Sequence, residues 1–332
     1  MNKEDYMRIL FITHSNIGDA ILSTILLDRL LNDFPEATFD IACGARAVEL
    51  FKGFPNLGDL VPVIKKKRHA HHFDMWKKFR QHEYEYVVDL RGSLLPYFLK
   101  KKNIIRFSNS NKNLHKAQQL SGLYPSDLPV KQKIWLDETV VADVRKKATK
   151  LKEEGPLLGF GPTSNWRAKT WPQRKFALLT NMIHETPGFE NARFVLFGAE
   201  HERRDVEDLI NYIPAEKRID LIGQTSLTEA AAWMQELDIF LGHDSGLSHL
   251  AAALDVPCVT LFGPTPEHLY APVTEKGRLV IAQGTIDLNL RSDAPKRLIT
   301  DIQPETVYEA FVDIYNKYNN VEQQKEKELV RA

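Results

Sequence analysis

Short apolar runs alternate along the whole chain with longer segments of helical periodicity, and this alternation is the strongest constraint on the fold. Early runs are Arg8–Thr13, Phe39–Cys43 and Tyr86–Leu90, and the segment Ala20–Asn32 between the first two has one broad apolar face. Strands separated by helices form βαβ units, in which the crossover helix makes successive strands parallel. The pattern therefore predicts an α/β protein built on mainly parallel sheets.

The alternation is interrupted once and then restarts. Residues 108–135 are polar, and a charged helix is predicted for Glu138–Glu154 before strands resume at Leu157. A chain of 332 residues has room for about two domains. We predict a doubly wound domain at 1–154, a second one at 155–303, and a closing helix with a charged tail at 304–332.

Composition limits the class of protein. Hydrophobic residues make up 43% and charged residues 27%, which is typical of a globular protein. No apolar run approaches the roughly 20 residues needed to cross a bilayer, and the first residues lack the features of a signal peptide. The two cysteines, Cys43 and Cys258, lie in or beside strand-like runs and are interpreted as buried free thiols. We therefore expect a cytoplasmic protein.

Charge is spread unevenly although the net charge is zero. Residues 1–150 carry 25 Lys and Arg against 17 Asp and Glu, so the remaining chain has the opposite excess. Part of the basic excess is the run Lys65, Lys66, Lys67 and Arg68. One interpretation is a solvated surface, and the other is contact with an anionic partner such as nucleic acid, phospholipid or a phosphorylated glycan. No nucleic-acid-binding motif accompanies the charge, so nucleic acid is disfavoured.

The stretch 238–264 carries the densest polar loop of the chain. An apolar run ends at Gly242, the polar loop His243–His249 follows, and a helix-like run leads to a second apolar run. Ser245 is a natural helix N-cap, and the unpaired N–H groups of a first helical turn bind anions. Capping needs only one polar residue, whereas Asp244, Ser248 and His249 are also present. The loop therefore predicts a site for a phosphorylated ligand.

Two further polar turns, 14–19 and 161–169, also follow strand-like runs. Asp19 opens a helix, and it is either an acid stabilised by the helix dipole or a general base. Lys169 is either part of a basic surface loop or an ammonium that binds phosphate. Ligands of open parallel sheets bind beyond the carboxyl ends of the strands. We therefore expect these turns and the 242–249 loop to meet in one cleft.

Weaker candidates lie nearby, and several common sites are absent from the sequence. Glu202 follows a strand end, where an acid either accepts bonds from ribose hydroxyls or starts a helix. There is no G-x-G-x-x-G, no P-loop and no Asp-x-Asp. The histidine cluster at 69–72 has no suitably spaced cysteine or carboxylate. We therefore expect neither a nicotinamide cofactor nor a bound metal.

Three motifs in a fixed order give a resemblance to a known family. They are Ile17-Gly18-Asp19-Ala20, Lys169-Thr170-Trp171-Pro172, and His243-Asp244-Ser245-Gly246-Leu247-Ser248-His249-Leu250. Together they resemble glycosyltransferase family nine, which contains the ADP-heptose:lipopolysaccharide heptosyltransferases. The most specific part runs from Asp244 through Val256-Pro257 to Gly263-Pro264-Thr265.

The resemblance implies a GT-B fold, with two doubly wound, Rossmann-like domains facing across a cleft and a closing helix that returns to the first domain. It implies an inverting, metal-independent transfer, with the acceptor on the N-terminal domain and the nucleotide sugar on the C-terminal one. Asp19 matches the family's catalytic base and Lys169 its phosphate-binding lysine. The donor-binding residues that it implies are Ser164, Asn165, Lys169, Glu202, Asp244, Ser245, Gly246, Leu247 and His249. Among these, Ser164 and Asn165 depart from the family pattern.

The resulting hypothesis is a heptosyltransferase that uses an ADP-linked sugar and a phosphorylated lipopolysaccharide core acceptor. Lys65, Lys66, Lys67 and Arg68 are assigned to the acceptor, and peripheral contact with the inner membrane is expected. Two alternatives stay open. One is a nucleotide-sugar epimerase of the same fold, which would give the basic first domain no purpose. The other is a two-lobed sugar-binding protein that is not an enzyme.

Overall fold

The computed structural model describes residues 7–64, 70–107, 113–285 and 297–329, with the side chains of Ala70 and residues 320–329 left aside. The chain forms two compact units, Met1–Asp137 and Glu138–Ala332, each with its own sheet. Over the described ranges, no helix has both the length and the apolar character needed to cross a membrane. The acceptor residues assigned from sequence, Lys65 to Arg68, lie outside the described residues.

The first unit is a five-stranded parallel sheet in the order β3-β2-β1-β4-β5. Its strands are β1 (Arg8–Ile12), β2 (Thr38–Gly44), β3 (Leu57–Val63), β4 (Glu83–Asp89) and β5 (Lys100–Arg106). Its helices are α1 (Ile17–Asp33), α2 (Ala70–Phe79) and α3 (Lys116–Ser121). Strand order reverses between β1 and β4, so their carboxyl ends form the topological switch point, where open sheets of this kind bind ligands.

The central strand of this sheet explains the strength of the sequence signal. Residues Ile9–Ile12 of β1 are fully buried because the strand is covered on both faces, which requires a continuous apolar run. The edge strand β5 instead begins with Lys100, Lys101 and Lys102. Lysines suit an edge because they discourage pairing with another chain, and the start of this strand therefore has no apolar run.

The second unit is a six-stranded parallel sheet in the order β11-β10-β9-β6-β7-β8. Its strands are β6 (Leu157–Gly161), β7 (Arg193–Leu196), β8 (Arg218–Asp220), β9 (Ile239–His243), β10 (Cys258–Phe262) and β11 (Gly277–Ile281). Its helices are α4 (Glu138–Lys152), α5 (Gln173–His184), α6 (Glu207–Tyr212), α7 (Leu227–Gln235), α8 (Gly246–Ala253), α9 (Glu267–Tyr270) and α10 (Pro304–Leu329). The switch point lies between β6 and β9.

Two long helices belong to the second unit, which differs from the sequence analysis. Helix α4 buries Val141, Val144 and Ala148 and packs on α7, so the division lies before Glu138 and not after Glu154. Helix α10 packs on α5 and on strands β9 to β11. The apolar stripe of α10 is buried in the core of the second unit. The expected return of this closing helix to the first domain stays a prediction. The predicted α/β class with two parallel sheets is confirmed.

Candidate active site

Two glycines lie opposite each other at the switch point of the second unit. Gly161 ends β6 and pairs in register with Gly242 of β9. A Cβ atom on Gly161 would lie 2.9 Å from the Phe240 ring and 3.2 Å from Leu247 Cδ1, so the position has no room for a larger residue. Both glycines are buried, so their lack of a side chain lets Phe240 and helix residue Leu247 pack closely against the ends of β6 and β9.

Helix α8 begins beside these glycines. Ser245 is the N-cap residue, as predicted, but in the described structure its hydroxyl makes no capping hydrogen bond. Ser248 Oγ instead donates to the carbonyl oxygen of His243 at 2.6 Å and fixes the end of β9 against the helix. The N–H groups of Gly246, Leu247 and Ser248 have no partner within the helix because they lie in its first turn. Such N–H groups, together with the positive end of the helix dipole, favour the binding of an anion.

An ion pair joins this helix start to the loop after β6. Lys169 Nζ lies 2.5 Å from Asp244 Oδ2, and the two side chains are 18% and 7% exposed. Thr265 Oγ1 donates to the same carboxylate oxygen at 2.7 Å. The structure thus places a shielded ammonium at the N-terminus of α8, which is a suitable position for binding a diphosphate.

His243 holds the same loop against β9. The backbone N–H of Trp171 donates to His243 Nε2 at 2.9 Å, so the imidazole carries its proton on Nδ1 and donates it to the carbonyl of Thr163. Burial is the main reason that the pKa of His243 is lowered to about 4. The imidazole is therefore neutral at pH 7, and it braces the chain on both sides of Lys169.

Glu202 makes the structural contact expected of an acid at a helix start. Its Oε2 accepts the N–H of Ala199 at 2.9 Å and the hydroxyl of Thr163 at 2.9 Å. The other oxygen, Oε1, makes no hydrogen bond to the described part of the chain. Glu202 is therefore anchored through one carboxylate oxygen, which leaves the second for a ligand hydroxyl.

The remaining donor-site predictions lie in the same two loops. Ser164 Oγ is buried and has no hydrogen-bond partner among the described residues, whereas Asn165 is exposed. Leu247 lies against Gly161, and the side chain of His249 is buried in α8. Through the contacts of Lys169, Thr163 and Leu247, the fold brings together the predicted residues of 163–169 and 244–249. Their roles in binding stay predictions.

Thr265 and the arginine that positions it were not singled out as site residues from sequence. Arg297 is buried, donates to the carbonyls of Gly263 and Thr265, and pairs with Glu267 at 2.8 Å. This arginine therefore fixes the turn after β10 and, with it, the hydroxyl that contacts Asp244. Nothing in the local sequence signals this contact because Arg297 lies more than 30 residues beyond the turn.

Asp19 lies in the first turn of α1 in the first unit, directly beyond β1. Its carboxylate is partly exposed and accepts a hydrogen bond from Asn16 Nδ2 at 3.1 Å. Asn16 is the N-cap residue of α1, yet its side chain makes no capping bond. The amide therefore orients the Asp19 carboxylate, an arrangement consistent with both interpretations of this acid.

A cluster of charges around His14 was not predicted. The pKa of His14 is lowered, chiefly by burial, while Asp19 and Asp89 raise it and Arg91 and Lys116 lower it further. Arg91 also donates to Ser15 Oγ at 3.2 Å across the switch point between β1 and β4. Asp89 lies in the predicted strand 86–90 and Arg91 directly follows it, but only the strand order places these two residues near His14.

One group of possible metal ligands lies elsewhere in the first unit. Atoms of Asp40, Asp59 and His82 lie within 4.8 Å of one another. Asp40 already accepts two hydrogen bonds from Arg8 and one from Tyr84, and Asp59 pairs with Lys78. Arg8 and Asp40 lie at the amino ends of β1 and β2, opposite the edge that carries Asp19. These ion pairs account for the group as a structural cluster.

The family model described as "Glycosyltransferase family 9 (heptosyltransferase)" matches residues 111–289, more than half of the chain. Lipooligosaccharide heptosyltransferase 2 of Haemophilus influenzae is 25% identical, over 94% of this chain and 100% of the relative.

Solved structures show the same fold. The glycosyl transferase family 9 protein of Veillonella parvula superposes with a TM-score of 0.80 at 19% identity, covering 95% of this chain and 99% of that one. The ADP-heptose lps heptosyltransferase II of E. coli gives a TM-score of 0.74 at 21% identity, covering 94% and 100%.

Proposed function

The chain belongs to glycosyltransferase family 9, and from this membership we propose that it transfers a heptose from ADP-heptose onto a hydroxyl of a lipopolysaccharide core acceptor. The observation that carries the proposal is the Lys169–Asp244 pair at the N-terminus of α8, on the switch point of the second sheet. That position combines the first-turn helix N–H groups with an ammonium, and both favour the negative charge of a nucleoside diphosphate.

The second unit binds the donor in this proposal. Lys169 and the first-turn N–H groups of α8 bind the diphosphate, and their charge stabilises the leaving group as its negative charge develops. Glu202 Oε1 accepts a ribose hydroxyl, and Ser164 Oγ donates to the donor. His243 contacts no substrate but keeps Lys169 in place through the loop that it braces.

The first unit supplies the base. The acceptor hydroxyl oxygen forms a bond to the anomeric carbon of the heptose while the bond from that carbon to the diphosphate oxygen breaks. The Asp19 carboxylate takes the hydroxyl proton, and ADP leaves with the bonding electrons on the opposite face of the sugar. The configuration at the anomeric carbon is therefore inverted.

Cations near Asp19 suit a phosphorylated acceptor. Arg91 and Lys116 both influence His14 electrostatically, so they lie close to the end of the helix that carries Asp19. A phosphate on the acceptor core would pair with them and bring a neighbouring hydroxyl to the base. Lys65 to Arg68 stay assigned to the acceptor as a prediction. Transfer without a metal cofactor and peripheral contact with the inner membrane are part of the same proposal.

The experiment is transfer from ADP-heptose to a purified heptose-deficient core acceptor, analysed by mass spectrometry and by NMR of the new anomeric proton. We expect acceptor-dependent product of inverted configuration. A reaction in which the donor sugar is isomerised without acceptor would contradict the proposal and support the epimerase alternative. GDP- and UDP-sugars in parallel reactions test the nucleotide, and ADP is expected to be preferred.

A further inference from the structure

The first unit exposes a group of large apolar side chains away from the residues assigned to catalysis. Phe73 is 63% exposed, Leu94 68%, Tyr97 59% and Phe98 68%, and the ring of Trp76 lies partly exposed among them. These five residues are called the aromatic patch. Single exposed apolar residues are common, but a contiguous group indicates a surface that contacts something else.

The aromatic patch is firmly positioned by the fold. Helix α2 turns Met75 and Phe79 into the core, packs the half-buried Trp76 against that core and leaves Phe73 exposed. Trp76 Nε1 donates to the carbonyl of Phe98 at 3.2 Å, which ties α2 to the 3-10 turn Leu95–Phe98. Between these two elements lies an apolar groove of about 430 Å³ that is lined by His72, Phe73, Trp76, Leu94, Leu95 and Phe98.

Cations stack directly on the rings of the patch. The Arg80 guanidinium lies 4.5 Å from the centre of the Trp76 ring, and Arg106 lies 5.2 Å from that of Tyr97. Arg106 also donates to the Tyr97 hydroxyl at 2.7 Å, and Lys101 Nζ lies 6.0 Å from the same ring. Residues 70–106 contain eight Lys and Arg but four Asp and Glu. The apolar surface is thus rimmed by positive charge.

We propose that the aromatic patch docks the first unit on an anionic phospholipid bilayer. Trp and Tyr favour the boundary between headgroups and acyl chains, where an apolar ring and a polar edge are both satisfied. Phe73, Leu94 and Phe98 enter the acyl boundary, while Arg80, Lys101 and Arg106 stay at the level of the negative headgroups. Charge complementarity selects this occupant, since a neutral apolar partner would leave the stacked cations without counter-charges.

The inference deepens the proposed function, because lipopolysaccharide is presented by a membrane. It rests on the proposed function only for the reason that docking would be useful. Docking would hold the catalytic unit at the surface from which its acceptor projects. The surface itself is defined by residues that take no part in the proposed transfer. Sugar transfer and membrane docking can therefore fail independently.

The test uses the full chain and vesicles of phosphatidylcholine, with and without phosphatidylglycerol, in a sedimentation assay at low and high salt. We expect binding only to the anionic vesicles, weakened by salt. The double variant Phe73→Ser/Phe98→Ser should bind at least about tenfold more weakly because two exposed apolar side chains no longer enter the bilayer. Arg80→Gln should weaken binding roughly fivefold.

Matched controls lie in the second unit. Leu178 is an exposed apolar residue of α5, at 53% exposure, and Lys150 is an exposed cation of α4. Leu178→Ser and Lys150→Gln should bind vesicles as the wild type does. Equal binding by the wild type and the double patch variant would overturn the inference, as would equal binding to neutral and anionic vesicles.

Two other occupants give different results. A second copy of the chain would appear as a concentration-dependent dimer that Phe73→Ser/Phe98→Ser abolishes, without vesicle binding, and would refute docking on lipid. If the groove instead binds an acyl chain of one acceptor molecule, the variant should be defective on a detergent-dispersed acceptor without vesicles. That result would also refute docking on lipid.

On a water-soluble core oligosaccharide the variant should transfer normally. Loss of transfer by the wild type there would refute the proposed function and leave the docking result standing.

Discussion

Replacing Lys169 by Met removes the ammonium while keeping the length of the side chain. The Asp244 carboxylate, which is 7% exposed, then keeps the Thr265 hydroxyl at 2.7 Å but loses the cation at 2.5 Å. Removing one partner of a buried ion pair costs about 3–5 kcal/mol. We expect the free energy of unfolding of the second unit to fall by about 3 kcal/mol, the low end of that range. The low end applies because the Thr265 hydrogen bond remains and Lys169 is partly exposed.

The same change should weaken ADP binding. A hydrogen bond to a charged group contributes about 1.5–3 kcal/mol, which corresponds to a roughly 10- to 100-fold larger Kd for ADP. Isothermal titration calorimetry measures this Kd. Urea unfolding followed by tryptophan fluorescence, to which the buried Trp171 of the second unit contributes, measures the stability. Lys150→Met, which removes an exposed lysine of α4, should alter neither quantity.

A second substitution separates stability from binding. In Lys169→Met/Asp244→Asn, the carboxylate left without its cation is also removed, so about 1–3 kcal/mol of the unfolding free energy should return. ADP affinity should stay weak, because the ammonium is still missing. A single variant that binds ADP like the wild type would refute the role of Lys169. A double variant that regains ADP affinity together with stability would show that the ammonium acts only structurally.

Three further changes test other parts of the site. Asp19→Asn should lower kcat, measured by steady-state kinetics, by about 10²- to 10⁴-fold. The Kd for ADP, measured by calorimetry, should stay unchanged. Full activity of this variant would exclude Asp19 as the base. Burial lowers the pKa of His243 to about 4 from 6.5, so the unfolded chain binds more protons below pH 6.5. The free energy of unfolding of the second unit should therefore fall by about 3 kcal/mol between pH 6.5 and 4 through this residue. His243→Asn should flatten that dependence in urea titrations at several pH values, and an unchanged slope would show that the imidazole is not held neutral. Transfer should persist in excess chelator, and its loss, with recovery on adding a divalent cation, would show that a metal is needed.

The parts of the fold that the sequence predicts are those with uninterrupted local signals. Strands covered on both faces, such as β1, are continuous apolar runs, and their positions agree with prediction to within a residue or two. The start of β5 gives no apolar signal in the sequence, because Lys100 to Lys102 lie on an edge strand where charged side chains are solvated. The place of α10 could not be deduced, because its apolar stripe would fit any exposed sheet face.

In the candidate site, too, local features could be predicted from the sequence and long-range contacts could not. The loop at 243–249 is local, so its helix start could be predicted from the residue pattern alone, and its anion site stays a prediction. Contacts between Arg91 and Ser15, or Thr265 and Asp244, depend on which strands are neighbours. Local patterns in a single sequence do not reveal the order of strands in a sheet. These contacts could therefore be identified only in the folded chain. At Ser245 a local signal predicts the position but not the contact. It is the N-cap residue, yet its hydroxyl makes no capping hydrogen bond, and Ser248 joins the helix to the end of β9 instead.

The central claim is that donor cleavage in the second unit is driven by deprotonation of an acceptor hydroxyl by Asp19 in the first. The most direct measurement is the rate of ADP release from ADP-heptose, followed with and without a core acceptor, for the wild type and Asp19→Asn. The account predicts rapid ADP release only from the wild type and only with acceptor present. Equal release without acceptor, or from both proteins, would contradict it.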